Sequence, residues 1–389
     1  MLAEGESIIR NPLYCDDTLR SMDAAALMGS VVSRGRTLRI RPSLRQAPDV
    51  INAGNSGTTA RLLSSVCALL PGHAVITGDA SLRTRPMEPV IRAVRQLGGR
   101  AFSTLGSGTL PAVFGGVMHR GYATLQADLS SQFASSLAIS CPLKEGDTEI
   151  RLKGRVQSPS YLRLTVETAA LFGCRSVFEE GTIYCAGGSS YHGRDFTVTG
   201  DFSSAAFILS AAAVTGGSVT VRGLKGSGAQ ADASIAGMLA SFGCSTRVRG
   251  GSVTVHAEEL SGADIDCTAS PDLFPVVCAV AAAARGRSRI HGSRALRFKE
   301  SDRIEATLAM LHSLGVRAAA DGDDLVIEGG RIVGGRVESM GDHRIAMAAC
   351  VAGLSSKKGC TISDGESHSV SYPSFIRDIC SIGAEVTLA

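Results

Sequence analysis

The sequence predicts an α/β protein built from six repeated units in two domains, and two glycine markers carry that prediction. The first closes a helix at Gly29, Gly98, Gly173, Gly243, Gly315 and Gly383, with steps of 69, 75, 70, 72 and 68 residues. The second separates a small-residue apolar segment from a strand at Gly5, Gly72, Gly146, Gly217, Gly286 and Gly359, with steps of 67, 74, 71, 69 and 73. Glycine just past a helix adopts the left-handed conformation that caps it, so a recurring helix brings a recurring glycine. A period near 70 residues exceeds that of solenoid repeats, so each unit is a small subdomain rather than one supersecondary element.

Within a unit, a Ser/Gly/Asp-rich turn opens an Ala-rich helix, glycine and a β-branched strand follow, and a second helix precedes one or two more strands. Helix then strand is clearest at 202–214 with 218–221, and at 344–354 with 360–362. Alternation predicts strands at 149–152, 252–256 and 325–328, and apolar periodicity predicts second helices at 89–97, 160–172, 231–242 and 304–314. Gly200-Asp201 lies between the third and fourth units, which sets the domains at 1–200 and 201–389. Met1-Leu2-Ala3-Glu4-Gly5 reads as the last turn of the first apolar helix, so the first unit is expected to be incomplete.

Composition bounds the function. A chain of 389 residues with 44% hydrophobic and 19% charged residues buries real cores. A net charge of +3 is too small to point to nucleic acid or a membrane surface as a partner. The longest apolar stretch, 273–284, contains Pro275 and is too short to span a bilayer. Eleven cysteines, with no C-x-x-C pair and no zinc-type spacing to histidine, read as reduced thiols of a cytoplasmic protein.

The candidate chemistry sits where the Ala-rich helices begin. Asn55-Ser56-Gly57-Thr58-Thr59-Ala60-Arg61, Ser130-Ser131-Gln132, Asp201-Phe202-Ser203-Ser204, Ser270-Pro271-Asp272 and Gly341-Asp342-His343-Arg344 each open one. Free N–H groups and the positive dipole end make such termini anion sites, although Ser, Thr and Asp are also ordinary N-caps. Arginines sharpen the case for anions: Arg61 and Arg344 lie in these helices, and Arg83 and Arg85 sit in a nearby turn. Lys299-Glu300-Ser301-Asp302-Arg303 puts cations and a carboxylate in one short turn, an arrangement suited to proton transfer beside a bound anion. Asp272 is a second such carboxylate, and His343 fits either a structural or a catalytic role.

Taken together, Asn52–Arg61, Gly78-Asp-Ala-Ser-Leu-Arg-Thr-Arg-Pro86, Ser130-Ser-Gln-Phe133, Lys299-Glu-Ser-Asp-Arg-Ile304 and Gly341-Asp-His-Arg-Ile-Ala-Met347 closely resemble the 3-phosphoshikimate 1-carboxyvinyltransferase (5-enolpyruvylshikimate-3-phosphate synthase) family, in order along the whole chain. The resemblance implies the two-domain enolpyruvyl transferase fold of six βαβαββ units, three per domain, with helix N-termini directed into an interdomain cleft. It implies transfer of the enolpyruvyl group of phosphoenolpyruvate to the 5-hydroxyl of shikimate 3-phosphate, through a tetrahedral intermediate, with no metal or organic cofactor, in a cytoplasmic monomer. It assigns Ser130, Ser131, Gln132, Ser158, Asp272 and Lys299 to shikimate 3-phosphate, and Gly57, Arg85, Gln132, Arg303 and Arg344 to phosphoenolpyruvate. Asp272 takes the hydroxyl proton, and Glu300 exchanges one with the methylene carbon. Glycine at position 57 further implies sensitivity to glyphosate, which competes with phosphoenolpyruvate.

The chain departs from the family pattern in four places. The family's opening Lys-Ser-x-Ser-x-Arg loop and first helix have no counterpart, Met1–Ser7 matching the stretch just after that helix, so the chain from Met1 is expected to be inactive by itself. Ala295 stands in place of an Asn, Ser160 in place of a Pro, and residues 369–373 carry no lysine. Two other readings stay open on the residues: transfer to UDP-N-acetylglucosamine, whose enzymes carry a Cys in a loop matching 78–86, and a non-catalytic anion-binding remnant.

Overall fold

Eleven α-helices alternate between two kinds in the computed structural model, which describes residues 1–225 and 230–388. The odd-numbered helices are α1 (Asp16–Leu27), α3 (Glu88–Gln96), α5 (Pro159–Leu171), α7 (Ile235–Ser241), α9 (Arg303–Ser313) and α11 (Phe375–Ser381). Each ends two residues before a glycine of the first marker, and all six glycines are left-handed, with φ between 76° and 107°. The even-numbered helices are the Ala-rich ones: α2 (Gly57–Cys67), α4 (Gln132–Ser140), α6 (Phe202–Val214), α8 (Phe274–Ala283) and α10 (His343–Leu354).

Burial separates the two kinds. Every residue of α8 except its last, Ala283, is buried, as is nearly all of α6 and α10. A helix without a polar face has to be surrounded by protein, and alanine lets its neighbours approach closely. The helices α6, α8 and α10 pack on one another to form the centre of their core. Between α2 and α4, buried serines take over part of that role, Ser65 Oγ donating to Ser136 O at 2.7 Å.

The chain divides into two compact units, Met1–Val198 and Thr199–Ala389. Four sheets repeat one topology: a strand parallel to the second, then two antiparallel additions. In the first unit these are Asp195–Thr197 with Ser7–Arg10, Thr37–Arg41 and Val31–Ser33; Ile51–Asn52 with His73–Thr77, Ala112–Gly115 and Arg100–Ser103; and Gly121–Gln126 with Thr148–Lys153, Thr182–Cys185 and Ser176–Glu179. In the second unit the sheet is Asp264–Asp266 with Gly286–His291, Asp324–Gly329 and Arg317–Asp321. Two other sheets of the second unit depart from the pattern. Ser218–Arg222, Ser252–His256 and Ser245–Arg249 form three antiparallel strands, and Gly335–Val337 pairs only with Cys360–Ile362. After Ile362 the chain enters a 3-10 turn, Gly365–Val370, and α11 instead of a hairpin.

One expectation is corrected here. Met1–Gly5 is not a helical turn: Ala3–Glu4 runs as a strand parallel to Tyr191–His192. A lone turn has almost no internal hydrogen bonds to hold it, whereas an extended segment needs only the neighbouring edge.

Glycine is required where a strand crosses the end of an Ala-rich helix. A Cβ on Gly329 would lie 2.1 Å from the Ala281 carbonyl oxygen and 2.4 Å from that of Ala284. Exposed Gly237, inside α7, has open space around it. Gly329→Ala is therefore expected to lower stability by about 1–3 kcal/mol through forced backbone shifts. Gly237→Ala is expected to raise it by about 0.5–1 kcal/mol through helix propensity. Urea denaturation midpoints at unchanged m-value check both.

Candidate active site

In the first unit the site is built on the start of α2. Ser56 caps the helix, its hydroxyl accepting from Thr59 N at 3.2 Å. The next residue, Gly57, faces two buried guanidinium groups: a Cβ there would sit 3.4 Å from Arg85 Nη1 and 3.6 Å from Arg61 Nη1. Arg85 is held by Asn55 Oδ1 at 2.6 Å and Ser81 Oγ at 3.1 Å, and Asn55 is steadied in turn by Asp79 at 2.6 Å. Arg61 lies over the Phe133 ring, 5.0 Å from its centroid, and donates to Gln132 Oε1 at 2.8 Å. Gln132 closes the circuit by donating to Thr58 Oγ1 at 2.9 Å. A helix N-terminus and two oriented arginines thus meet beside a residue with no side chain, which is the geometry of an anion site.

The serines stand at the next two helix starts. Ser130 Oγ accepts from Gln132 N at 3.2 Å, while the Ser131 side chain makes no capping bond. Ser158, at the start of α5, is left-handed at φ 46° and ψ 62°. That conformation is unfavourable for a residue with a Cβ, and such strain gathers at functional positions. Gln157 N donates to Ala127 O at 3.0 Å, which ties the loop of Ser158 to the loop of Ser130.

In the second unit, Asp272, Lys299, Glu300, Arg303 and Arg344 form one network. Asp302 caps α9, accepting from Ile304 N at 3.1 Å, and so sets Arg303 as its first residue. Arg303 is 1% exposed and donates to three carboxylates: Asp272 at 2.6 Å, Glu300 at 2.5 Å and Asp342 at 2.9 Å. Asp272, in the 3-10 turn Pro271–Leu273 ahead of α8, also meets Lys299 Nζ at 3.3 Å and Arg344 Nη2 at 3.5 Å. Burial opposes its ionisation, but Arg344, Lys299 and Arg303 together outweigh burial and hold its carboxyl well below the usual carboxylate range. For Arg303 the balance runs the same way. Burial alone favours the neutral form, yet Asp342, Glu300 and Asp272 push its pKa up.

Three residues behave differently from the sequence expectation or escaped it. His343 is buried and pushed down to about 4, chiefly by burial, so it is neutral across the physiological range. Its Nδ1 meets no hydrogen-bond partner among the described residues. Asp342 caps α10 through Arg344 N at 2.9 Å while gripping Arg303, and only its capping position could have marked it. Asp232, in the 3-10 turn Ala231–Ser234, accepts from Ser203 Oγ and is raised to about 6, first by burial and then by Asp272. No pattern around Gln230-Ala231-Asp232 distinguishes that aspartate. Among the described residues, no three His, Cys, Asp or Glu side chains converge to hold a metal ion, and no helix is long and apolar enough to cross a membrane.

Comparison with known proteins agrees with these motifs. A family model described as EPSP synthase (3-phosphoshikimate 1-carboxyvinyltransferase) matches residues 1–379. The 3-phosphoshikimate 1-carboxyvinyltransferase of Methanocella arvoryzae is 42% identical over 386 residues, covering 97% of this chain and 91% of the relative. That of Methanothermobacter thermautotrophicus is 40% identical over 396 residues, covering 100% and 92%. Among solved structures, EPSP synthase from Acinetobacter baumannii shares the fold with a TM-score of 0.80 at 28% identity, over 98% of this chain and 91% of that one. Matched by the family model over nearly its whole length and by relatives at 40% identity and above, the chain belongs to the EPSP synthase (3-phosphoshikimate 1-carboxyvinyltransferase) family.

Proposed function

We propose that the two side-chain clusters carry out the family's reaction, transfer of the enolpyruvyl group of phosphoenolpyruvate to the 5-hydroxyl of shikimate 3-phosphate, with release of phosphate, in aromatic amino acid biosynthesis. The observation that carries the reading is Asp272, one carboxylate ringed by Lys299, Arg303 and Arg344, with Glu300 on the same guanidinium. Two carboxylates at a cluster of cations suit a reaction that moves two protons beside two anions. Phosphoenolpyruvate is met by Gly57, Arg85, Gln132, Arg303 and Arg344, and shikimate 3-phosphate by Ser130, Ser131, Gln132, Ser158, Asp272 and Lys299. The protein acts as a cytoplasmic monomer.

In the addition, the 5-hydroxyl oxygen bonds to C2 of phosphoenolpyruvate, its proton goes to Asp272, and Glu300 delivers a proton to C3. In the elimination, the C2–O bond to phosphate breaks, the departing phosphate takes the proton held by Asp272, and Glu300 takes a proton back from the C3 methyl group, so both carboxyl groups return to their starting states. Electrostatics links this chemistry to binding. While three cations surround it, Asp272 is a weak base. Substrate phosphates and carboxylate draw on those same cations, and each charge so engaged raises the proton affinity of Asp272. The base gains strength when the substrates are in place.

In an enzyme that also carries the family's opening lysine loop, Glu300→Gln and Asp272→Asn are each expected to lower kcat by about 10²–10⁴-fold, with smaller changes in KM. Steady-state rates, read with a thermal midpoint for each variant, check this, and near-normal turnover in a folded variant removes that residue from the mechanism.

Gly57→Ala is expected to fold as the parent does, since its methyl group arrives at ordinary contact distance, 3.4 Å from Arg85 Nη1. It fills the space an anion needs there, so KM for phosphoenolpyruvate and the inhibition constant of glyphosate should both rise, with KM for shikimate 3-phosphate unchanged. An unaltered glyphosate constant would refute the steric role of Gly57.

A further inference from the structure

Arg303 has two classes of partner. Asp272 and Glu300 retain side-chain exposures of 19% and 17%, whereas Asp342 has none. Asp342 is also heavily committed. Its Oδ2 accepts from Arg303 Nε at 2.9 Å and Ser301 Oγ at 3.0 Å, and its Oδ1 accepts from Arg344 N at 2.9 Å and Arg303 Nη2 at 3.4 Å. An anion arriving from solvent can trade places with the two partly open carboxylates. It cannot displace Asp342 without dismantling the first turn of α10.

We propose that Asp342 is a positioning residue for the transfer reaction: its sealed carboxylate holds the Nε edge of Arg303 so that the Nη groups can exchange Asp272 and Glu300 for the carboxylate or phosphate of phosphoenolpyruvate. The inference rests on the reading that Arg303 meets phosphoenolpyruvate. A guanidinium suits this double duty because its donors lie in a fixed planar fork, so anchoring one edge orients the other. The same carboxylate caps the helix that carries Arg344, so one residue registers two of the cations assigned to that substrate.

A capping role alone predicts a general loss of stability; a positioning role predicts a substrate-selective loss. Asp342→Asn keeps volume and a good N-cap but removes the charge facing Arg303. The expected result is a rise of about tenfold or more in KM for phosphoenolpyruvate, the scale of one charge-assisted hydrogen bond, with KM for shikimate 3-phosphate within about twofold of the parent. If that variant does not fold, Asp342→Ser, which also retains a cap, carries the same expectation. The variant is then combined with Arg303→Lys. A residue acting through Arg303 loses its effect in that background, so Asp342→Asn should add less than about twofold there.

Equal rises in both KM values, or an undiminished effect in the Arg303→Lys background, overturn the inference. If Arg303→Lys by itself leaves the phosphoenolpyruvate KM unchanged, the reading of Arg303 fails and the inference with it. If Arg303→Lys raises that KM and Asp342→Asn does not, the inference alone fails.

Discussion

A guanidinium removed from water must be surrounded by acceptors, and Arg303 organises the second unit on that requirement. Burying one charge costs several kcal/mol unless well-aligned partners compensate. Arg303 therefore gathers carboxylates from three separate segments: Asp272 ahead of α8, Glu300 ahead of α9 and Asp342 at the cap of α10. Lys299 and Arg344 complete the set at Asp272, so three cations face three carboxylates. The balance explains how so many ionised groups share a largely buried site. It also makes the site responsive, because an added anion upsets the balance and the carboxylates register the change as greater proton affinity.

His343, beside this set, is driven neutral by burial, whereas Asp232, raised to about 6 by burial and by Asp272, remains mostly ionised at pH 7. In the first unit, Arg61 and Arg85 take orienting contacts from the neutral groups Gln132, Asn55 and Ser81, and from the face of Phe133. Gly57 completes that arrangement by leaving the space open.

The positions of these side chains follow from the repeat. Helices without a polar face form the centre of each core, so their N-termini are the places where polar side chains can gather. Capping and binding draw there on the same residue types, and the helix starts differ in whether the side chain caps. Ser56, Asp201, Asp302 and Asp342 use their side chains as caps. Ser131, Ser158 and Ser270 make no capping bond through theirs. Nothing in residue type alone distinguishes Ser56 from Ser131.

Local chemistry was sufficient for the sequence by itself to determine where the helices close at glycine, the left-handed glycines, the Ala-rich helix at 202–214 and the gathering of Arg303, Glu300 and Lys299 in one turn. Each depends on backbone propensity or apolar periodicity within a few residues. The strand at Ala3–Glu4 was not legible, because its partner Tyr191–His192 lies far along the chain. Asp342 and Asp232 were hidden for a related reason. Their importance lies in contacts with Arg303, and in proximity to Asp272, that sequence spacing does not encode. Only the tertiary structure decided which carboxylate is sealed and which stays open to solvent, because desolvation is set by everything packed around a group and not by the residues next to it in sequence.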